Sequence, residues 1–371
     1  MAIELEGGGA QRVLATILQH LDRTKFESVL ALFMDIRQFQ IPESVQVISL
    51  QKKGWWDYPK LIWKLSRLYT QLEPDVVLSL LTYTNVICVL AKVFSKTRIR
   101  LILCEHGLPS FFLKQTKNPI TILFLKWMPR WFYNRADNIV CVSRDLANEV
   151  NKIFNVPFTK IKIIHNPIDI DNIVHLGIEN VEHPWFAQNV PIIISVGRLV
   201  DVKGYEYLLR AFKQILTHYP SRLVILGQGE KEESLKALTL QLDIDKSVAF
   251  LGFQINPFKY MSRSRVFVLS SLSEAFPMVI VEAMACGIPV ISTASSGGNE
   301  IITHGINGLL VPIADEKSLA KAILKLLTDN TLPTSLVRLG KKRVCDFSVE
   351  KIINEYEELL QTDGQLANKS I

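Results

Sequence analysis

The sequence predicts an α/β protein built from two doubly wound domains, and three observations support this class. The chain has 371 residues, more than one hydrophobic core usually serves, and 48% of them are apolar. Short runs rich in β-branched residues recur with room for a helix between them, which is typical of a parallel sheet buried on both faces. The runs form two series on either side of residues 180–190, NVEHPWFAQNV, where the periodicity breaks.

Each series supplies six candidate strands. They lie at 28–34, 45–50, 75–80, 100–106, 138–143 and 162–167, and then at 191–197, 222–227, 247–252, 265–270, 288–292 and 308–312. Strands that alternate with helices predict two Rossmann-like domains, at 1–184 and 185–345. Apolar residues at helical spacing, after a capping Ser348, predict a terminal helix. We expect the segment 346–371 to pack back on the first domain, with 362–371 frayed.

The first strand of the first domain is the weak element of this prediction. A doubly wound domain places a strand before its first glycine turn, but only Met1 to Glu6 precede Gly7. Glu4 and Glu6 make these six residues a poor buried strand. We therefore expect this strand to be short or missing, unless the natural start lies upstream of Met1.

Composition excludes several classes of protein. The five cysteines form no CxxC pair and have no metal-spaced companions, so we expect neither a disulfide framework nor a zinc site. No basic flank precedes an apolar signal segment, and no apolar run reaches about 20 residues. We expect a cytoplasmic protein. The net charge of +6 comes without a basic nucleic-acid motif, so no nucleic-acid partner is expected. The cysteines are Cys88, Cys104, Cys141, Cys286 and Cys345.

Two cations follow the first strand of the second series. Arg198 and Lys203 lie five residues apart in SVGRLVDVKG, and Gly204 opens the next helix. Ligands of doubly wound domains bind at the carboxyl ends of strands, where a guanidinium fork and an ammonium can neutralise a diphosphate. The alternative is a pair of solvated surface cations. The glycine turn at a strand end favours the binding site.

Two glutamates, Glu274 and Glu282, lie eight residues apart in SEAFPMVIVEAMACGIPVI. We expect a helix whose first residues, Phe276 to Val279, expose free amides, which favour an anion at the positive end of the helix dipole. Carboxylates suit hydroxyl groups of a ligand. The alternative makes Glu274 an ordinary helix-start acid and Glu282 a surface residue. The apolar neighbours of Glu282 make a surface place hard to defend.

Two strand-end motifs of the first domain are weaker signals. The turn GGGAQRVL, with Gly8 and Gly9 before a helix, allows a phosphate to approach the backbone, but it is often only a turn. The motif EHG places Glu105 and His106 after a strand, where the histidine either faces a ligand or is a hydrogen-bonded core residue. The other strand-end polar residues, which we interpret as interdomain or hinge residues, are Ser143, His165 and Asn166.

The segment 111–135, FFLKQTKNPITILFLKWMPRWFYNR, is a candidate membrane contact. Lys126 and Arg130 are spaced by four, as are Trp127 and Trp131, so a basic and an aromatic stripe can share one helix. The alternative is a core helix with snorkelling cations, and Pro129 should interrupt the helix in either case. The first interpretation predicts peripheral contact with an anionic membrane at the inner face.

Taken together, these motifs resemble the retaining glycosyltransferases of family 4. That family has the GT-B fold, two doubly wound Rossmann-like domains facing each other across a cleft. The resemblance covers nearly the whole chain in order: GGGAQRV, EHG, VSRDL, HNPID, SVGRLVDVKG, GQGE, EAFPMVIVEAMACGIPVI and NGLLVP. It implies an enzyme that moves a sugar from a nucleotide-diphosphate donor to an acceptor and retains the anomeric configuration.

The resemblance also implies a role for each motif residue. Arg198 and Lys203 hold the donor diphosphate, Glu282 binds the ribose, and His106 lies beside the transferred sugar. Gln11 stands where many relatives have Glu, so no acidic role is expected there. The remaining implied contacts are Glu274 and the amides of Phe276, Pro277, Met278 and Val279 with the donor sugar and distal phosphate, Gly8 and Gly9 with the phosphates, and Phe253, in the stretch GFQ, with the base.

By the same resemblance we expect a UDP-sugar donor, no cofactor, no metal, and a saccharide or lipid-linked acceptor of polysaccharide or lipopolysaccharide assembly. A nucleotide-sugar epimerase is the main alternative, and it would consume the donor without an acceptor. A non-catalytic nucleotide-sugar-binding protein is another, disfavoured by the intact cations and glutamates. A dehydrogenase is poorer still, because no acidic residue ends a second strand about 20 residues after the glycines.

Overall fold

The structure is a computed structural model that describes residues 1–5, 8–329 and 331–361. The chain divides into two compact units, one of residues 1–167 with the chain from Val349 onward, and one of Ile168–Ser348. The boundary therefore lies at Pro167, whereas the sequence predicted it at residue 184. The reason is that the helix Ile170–Gly177 packs on helices of the second unit, where Ser262 Oγ donates to Gly177 O at 2.6 Å.

A strand overlaps each of the twelve predicted runs. Most are shorter than predicted, because pairing stops where the chain turns toward the next helix. The strands are β1 (Val29–Leu32), β2 (Gln46–Ser49), β3 (Val76–Leu80), β4 (Arg100–Glu105), β5 (Asn138–Cys141), β6 (Ile161–Ile163), β7 (Ile192–Val196), β8 (Arg222–Leu226), β9 (Val248–Phe250), β10 (Val266–Leu269), β11 (Val290–Thr293) and β12 (Leu309–Val311).

The helices alternate with these strands, as βα units require. They are α1 (Gly9–His20), α2 (Tyr58–Leu72), α3 (Thr82–Ser95), α4 (Pro109–Gln115), α5 (Pro119–Ile122), α6 (Met128–Phe132), α7 (Arg144–Phe154), α8 (Ile170–Gly177), α9 (Tyr205–Leu216), α10 (Glu232–Gln241), α11 (Phe258–Met261), α12 (Met278–Ala285), α13 (Ser296–Ile301), α14 (Glu316–Thr328), α15 (Leu332–Val344) and α16 (Val349–Gln361).

In the first unit, residues 1–5 stand where the first strand was expected. They lie between β1 and β3: Phe33 N donates to Ala2 O at 3.1 Å, and Leu80 N donates to Met1 O at 3.2 Å. Ala2 and Leu5 each form one isolated parallel bridge, to Leu32 and Arg37, and these bridges do not extend into a ladder of consecutive pairs. This short segment joins the parallel pair β1-β2 to the parallel sheet β3-β4-β5-β6.

The terminal helix α16 belongs to the first unit and packs against α1. Its Glu357 accepts hydrogen bonds from Asp22 N at 2.9 Å and from Lys25 Nζ at 3.1 Å. The segment 362–371, which the sequence predicts to be frayed, lies outside the described residues.

The second unit holds one parallel sheet in the order β12-β11-β10-β7-β8-β9. From β7 the chain adds β8 and β9 on one side and then returns to place β10 on the other side. The loops that follow β7 and β10 therefore diverge at a topological switch point, the place where doubly wound sheets bind ligands.

The segment 111–135 is divided between α4, α5 and α6, and Pro129 does not interrupt the helical run as predicted. It breaks at residues 116–118, and Asn118 then caps α5 by accepting from Ile120 N at 2.9 Å. From Pro119 the chain stays helical through Pro129, because a wide turn at 123–127, closed by Met128 N donating to Leu123 O, precedes the proline. A wide turn relieves the clash that a proline ring makes with the preceding turn. No helix of the described residues is long and apolar enough to span a bilayer.

Candidate active site

The loop that carries Arg198 is fixed by backbone contacts on both sides. Gly197 N donates to Leu226 O, and Leu199 N donates to Gln228 O, each at 2.9 Å. Gly227, with φ +139°, lies so close that a Cβ there would overlap Gly197 O, so the loops after β7 and β8 need glycine to meet. The Arg198 side chain is exposed, and its base is held rigidly at the carboxyl end of β7.

Lys203 and Glu274 meet across the switch point. Lys203 Nζ lies 2.5 Å from Glu274 Oε1, and their side chains are 16% and 15% exposed. Gly204, with φ +59°, ends the short 3-10 turn that carries the lysine, and a Cβ there would overlap Ser270 O. The loops are also joined by Leu272 N, which donates to Val202 O at 2.7 Å. The predicted strand-end cation and carboxylate therefore lie together in one pair.

Glu274 has a second partner, because Ser271 Oγ donates to its Oε1 at 2.7 Å. One carboxylate oxygen thus holds both the ammonium and the hydroxyl. The arrangement places a positive charge, a negative charge and a hydroxyl group at the end of β10, which suits a ligand that carries both phosphate and hydroxyl groups.

The helix after Glu274 begins later than predicted. α12 starts at Met278, so Phe276 and Pro277 precede it, and proline has no amide hydrogen. Ile280 N already donates to Pro277 O at 3.0 Å. Pro277 therefore interrupts the expected row of amides from Phe276 to Val279, and only the first turn that begins at Met278 is helical. Pro277 gives this turn no side-chain cap.

Glu282 lies in the middle of α12 and is 5% exposed. Its helix neighbours Val281 and Ala283 are fully buried. The alternative of a surface place is therefore wrong. A carboxylate is rarely kept in such an apolar helix unless it has a partner or a ligand to bind.

Phe253, the predicted contact of the nucleotide base, lies in the loop after β9. Gly252, with φ +67°, accepts from Gly227 N at 2.8 Å, which ties the loop after β9 to the loop after β8. The Phe253 side chain itself is 58% exposed and lines a shallow depression with Leu176 and Asn256.

In the first unit, Gly8 precedes α1 with extended backbone, and Gly9 is its first residue. A Cβ at Gly8 would overlap the Gln11 side chain, so the glutamine that replaces the expected acid folds against the turn. Gly7 lies outside the described residues.

His106 follows β4 and has an unusual environment. Both ring nitrogens are buried without a hydrogen-bond partner among the described residues. Burial lowers the pKa of His106 to about 4, with the nearby Asn166 amide opposing the shift. The ring is therefore neutral at pH 7, so one ring nitrogen carries a hydrogen and the other a lone pair, and Asn166 is the polar side chain beside them.

Beside it, Glu105 is 1% exposed and anchors a polar cluster that the sequence analysis did not single out. It accepts from Thr82 Oγ1 and Asn85 Nδ2, each at 2.9 Å, and from Tyr133 OH. Burial raises the pKa of Glu105. Asn85 was the available signal, because it is a lone amide in the apolar helix TNVICVLA.

The three residues interpreted as interdomain or hinge residues have different places. Ser143 is the N-cap of α7 and accepts from Leu146 N at 3.3 Å, so its role is local. Asn166 is 5% exposed, and with His165 it lies just before the boundary at Pro167.

Comparison with known proteins identifies the family of the chain. Residues 7–172 match the model of Glycosyltransferase Family 4, and residues 179–343 match that of Glycosyl transferases group 1. The chain is 31% identical, over 95% of each chain, to N-acetylgalactosamine-N,N'-diacetylbacillosaminyl-diphospho-undecaprenol 4-alpha-N-acetylgalactosaminyltransferase of Campylobacter jejuni. It is 28% identical to N-acetyl-alpha-D-glucosaminyl L-malate synthase of Bacillus anthracis, over 73% of this chain and 70% of the relative.

Solved structures share the fold. HepE of Anabaena in complex with UDP-glucose superposes with a TM-score of 0.80 at 22% identity, over 97% of this chain and 99% of that one. Sucrose-phosphate synthase of Thermosynechococcus elongatus gives 0.81 at 19% identity, over 96% and 94%. With the two parallel sheets and the family matches, these findings show that the chain belongs to glycosyltransferase family 4 and is a glycosyltransferase of GT-B fold.

Proposed function

We propose that this protein transfers a sugar from a UDP-sugar to a saccharide or lipid-linked acceptor, with retention of configuration. The observation that carries the proposal is the pair of Lys203 and Glu274 at the switch point of the second sheet, with Arg198 on the same loop as Lys203 and Glu282 buried on the next helix. Two comparisons support its details. HepE binds UDP-glucose, and the Campylobacter relative acts on a diphospho-undecaprenol-linked glycan.

The donor contacts follow from charge. The diphosphate lies against Arg198 and Lys203, and the ribose hydroxyls bind the Glu282 carboxylate. Glu274 accepts hydrogen bonds from hydroxyls of the donor sugar, together with the first turn of α12 at Met278. We assign the loop at Phe253 to the base. The contact is made by the backbone of this loop, because the Phe253 side chain is largely exposed.

The chemical step separates charge. When the bond from the anomeric carbon to the phosphate oxygen breaks, negative charge grows on the leaving diphosphate, and the two cations stabilise it. The acceptor hydroxyl attacks from the same face, and its proton goes to the leaving phosphate oxygen. The cations and amides take the part that a metal ion plays elsewhere, so the mechanism needs no metal and no cofactor.

The environments of the carboxylates disfavour both alternatives to same-face attack, which are a two-step displacement and inversion. A two-step displacement needs a free carboxylate close to the anomeric carbon. Glu274 is held by Lys203 and Ser271, and its proposed role is to hold hydroxyls. Inversion would need a general base, and Glu105 is a poor one because it is buried and holds three donors.

His106 completes the proposal as a neutral contact to the transferred sugar. Its neutral ring can donate one hydrogen bond and accept another without adding charge. Gly8 and Gly9, before α1, are assigned to the phosphates because a turn without side chains admits them.

A lipid-linked acceptor fits the segment 111–135, which we propose contacts the inner face of a membrane peripherally. Its stripe of Ile120, Leu123, Trp127 and Trp131 is exposed by 37% to 58%. Only the side of the segment opposite this stripe, where Pro129 is buried, fits the alternative of a core helix. The segment starts five residues after His106 along the chain, in the same unit.

A thermal-shift screen with UDP-, GDP- and ADP-sugars tests the donor site. A ligand at 100 times its dissociation constant adds about 2.7 kcal/mol of stability, and we expect this from UDP-sugars. Arg198→Ala should remove the shift, while the matched surface variant Lys317→Ala should keep it. No shift with any nucleotide sugar would refute the proposal. Consumption of the donor and formation of its epimer without an acceptor would favour an epimerase.

A further inference from the structure

A second segment of the first unit, residues 52–67, shares the character of 111–135. It contains the 3-10 turn Trp55–Asp57 and the first part of α2. Trp56 is 77% exposed and Trp63 is 55% exposed. Burying a tryptophan is favourable, so two largely exposed tryptophans within eight residues need a reason.

The two segments are joined in space by aromatic contacts. The Tyr58 ring at the start of α2 lies 5.4 Å from the Phe124 ring, which lies 5.7 Å from the Tyr83 ring of α3. α3 contacts both α2 and the helical segment that contains Phe124. The two segments therefore flank one helix and contact each other at Tyr58 and Phe124, so they form one region of the first unit.

The region is strongly basic. No Asp or Glu occurs between Gly107 and Ala136, and Asp57 is the one acid between Gln51 and Leu72. The Asp57 carboxylate is already occupied, because it accepts from Lys53 N at 2.8 Å and Gly54 N at 3.1 Å. The cations in the two segments are Lys52, Lys53, Lys60, Lys64, Arg67, Lys114, Lys117, Lys126, Arg130 and Arg135.

Several cations stand over the aromatic rings instead of pairing with acids. The Arg67 guanidinium lies 4.3 Å from the Trp63 ring centroid, and Lys126 Nζ lies 5.0 Å from that of Trp127. Lys52 Nζ lies 5.4 Å from the Tyr58 centroid. This pairing keeps positive charge beside exposed aromatic surface.

We propose that residues 52–67 and 111–135 form one bilayer-binding surface, the tryptophan–lysine surface, which docks on anionic phospholipid. The proposal rests on the membrane contact suggested above and adds α2 to it. Tryptophan beside lysine fits the water–lipid boundary, where aromatic rings lie at headgroup depth and cations meet anionic lipids. Protein interfaces also favour tryptophan, but they are depleted of lysine, which disfavours a second copy as the occupant.

Binding to vesicles tests the part that α2 plays. Full-length protein is sedimented at low salt with vesicles of phosphatidylglycerol and phosphatidylcholine, or of phosphatidylcholine alone. The test variant combines Lys53→Gln, Lys60→Gln and Arg67→Gln. The matched control combines Lys317→Gln, Lys321→Gln and Lys325→Gln, which removes three exposed charges from α14 of the second unit.

Each cation near an anionic bilayer changes binding roughly fivefold, so the test variant should lose on the order of 100-fold. The control should bind like wild type, and phosphatidylcholine alone should bind poorly. Trp63→Phe should reduce quenching of tryptophan fluorescence by brominated lipid, because it removes one reporter at the surface. Equal binding by the two triple variants would overturn the proposal.

Two other outcomes are also decisive. Failure of the wild type to bind anionic vesicles, with dimers in sedimentation velocity that the test variant loses, would overturn the proposal in favour of a second copy. The thermal shift caused by UDP in the same samples distinguishes a failure of the proposed donor site from a failure of the tryptophan–lysine surface. Vesicle binding without any shift by nucleotide sugars would refute the proposed donor site and leave the tryptophan–lysine surface intact, whereas a normal shift without vesicle binding would do the reverse.

Discussion

Glu274→Gln should strengthen binding of UDP, although Glu274 belongs to the donor site. In the free protein this carboxylate holds Lys203 at 2.5 Å, with both side chains about five-sixths buried. A diphosphate that recruits Lys203 must break this pair and approach a negative charge. Hydrogen bonds between charged groups contribute about 1.5–3 kcal/mol, more than the roughly 0–1 kcal/mol of exposed pairs.

If the variant removes the lower value of this competing interaction, about 1.5 kcal/mol, UDP should bind roughly tenfold more tightly. UDP-sugar should gain less or lose affinity, because the variant also weakens the hydrogen bonds that Glu274 accepts from hydroxyls of the sugar. Isothermal titration calorimetry with UDP and UDP-glucose measures both. Glu206→Gln, an exposed acid of α9, is the matched control and should change neither. An equal loss of affinity for UDP and UDP-sugar in Glu274→Gln would refute the reasoning.

Three further outcomes are expected. Arg198→Ala and Lys203→Ala should each lower kcat by on the order of 100- to 1000-fold, and wild-type rates would contradict their role. Glu282→Ala should raise the KM for donor with little change in kcat, because ribose contacts are similar in ground and transition states; an unchanged KM would argue against it. Activity should survive EDTA, and loss that Mn²⁺ restores would contradict the metal-free mechanism.

The pH dependence of stability provides a test of His106. Its pKa is lowered to about 4 from 6.5 by burial, so the folded protein resists protonation that the unfolded chain accepts. The contribution is complete above pH 6.5 and is lost as pH falls through 4, by about 3 kcal/mol in all. His106→Gln should therefore flatten the fall of Tm between pH 7 and 4.5. An identical fall in the variant would mean that other groups cause it.

Hydrophobic periodicity and glycine placement predicted most of the fold. Runs of β-branched residues located all twelve strands of the parallel sheets, because a strand buried on both faces must be apolar throughout. The domain boundary was misplaced because NVEHPWFAQNV breaks the pattern more visibly than Pro167 does, and only tertiary packing assigns α8 to the second unit.

The residues of the candidate site came from the sequence, whereas the geometry of those residues came from the structure. Strand ends located Arg198, Lys203 and Glu274, but no pattern shows that the last two bond each other before a ligand arrives. The start of α12 was misread because Pro277 was counted as an amide donor. The Glu105 cluster escaped notice because Thr82, Asn85 and Tyr133 come from distant positions that only the fold brings together.

The measurement that tests the central claim most directly is the anomeric configuration of the product. Proton NMR of the glycoside formed from an α-linked UDP-sugar should show an α-linkage, because Lys203 and Arg198 leave the diphosphate on the face from which the acceptor enters. A β-linked product would contradict the account and assign His106 or Glu105 as a general base.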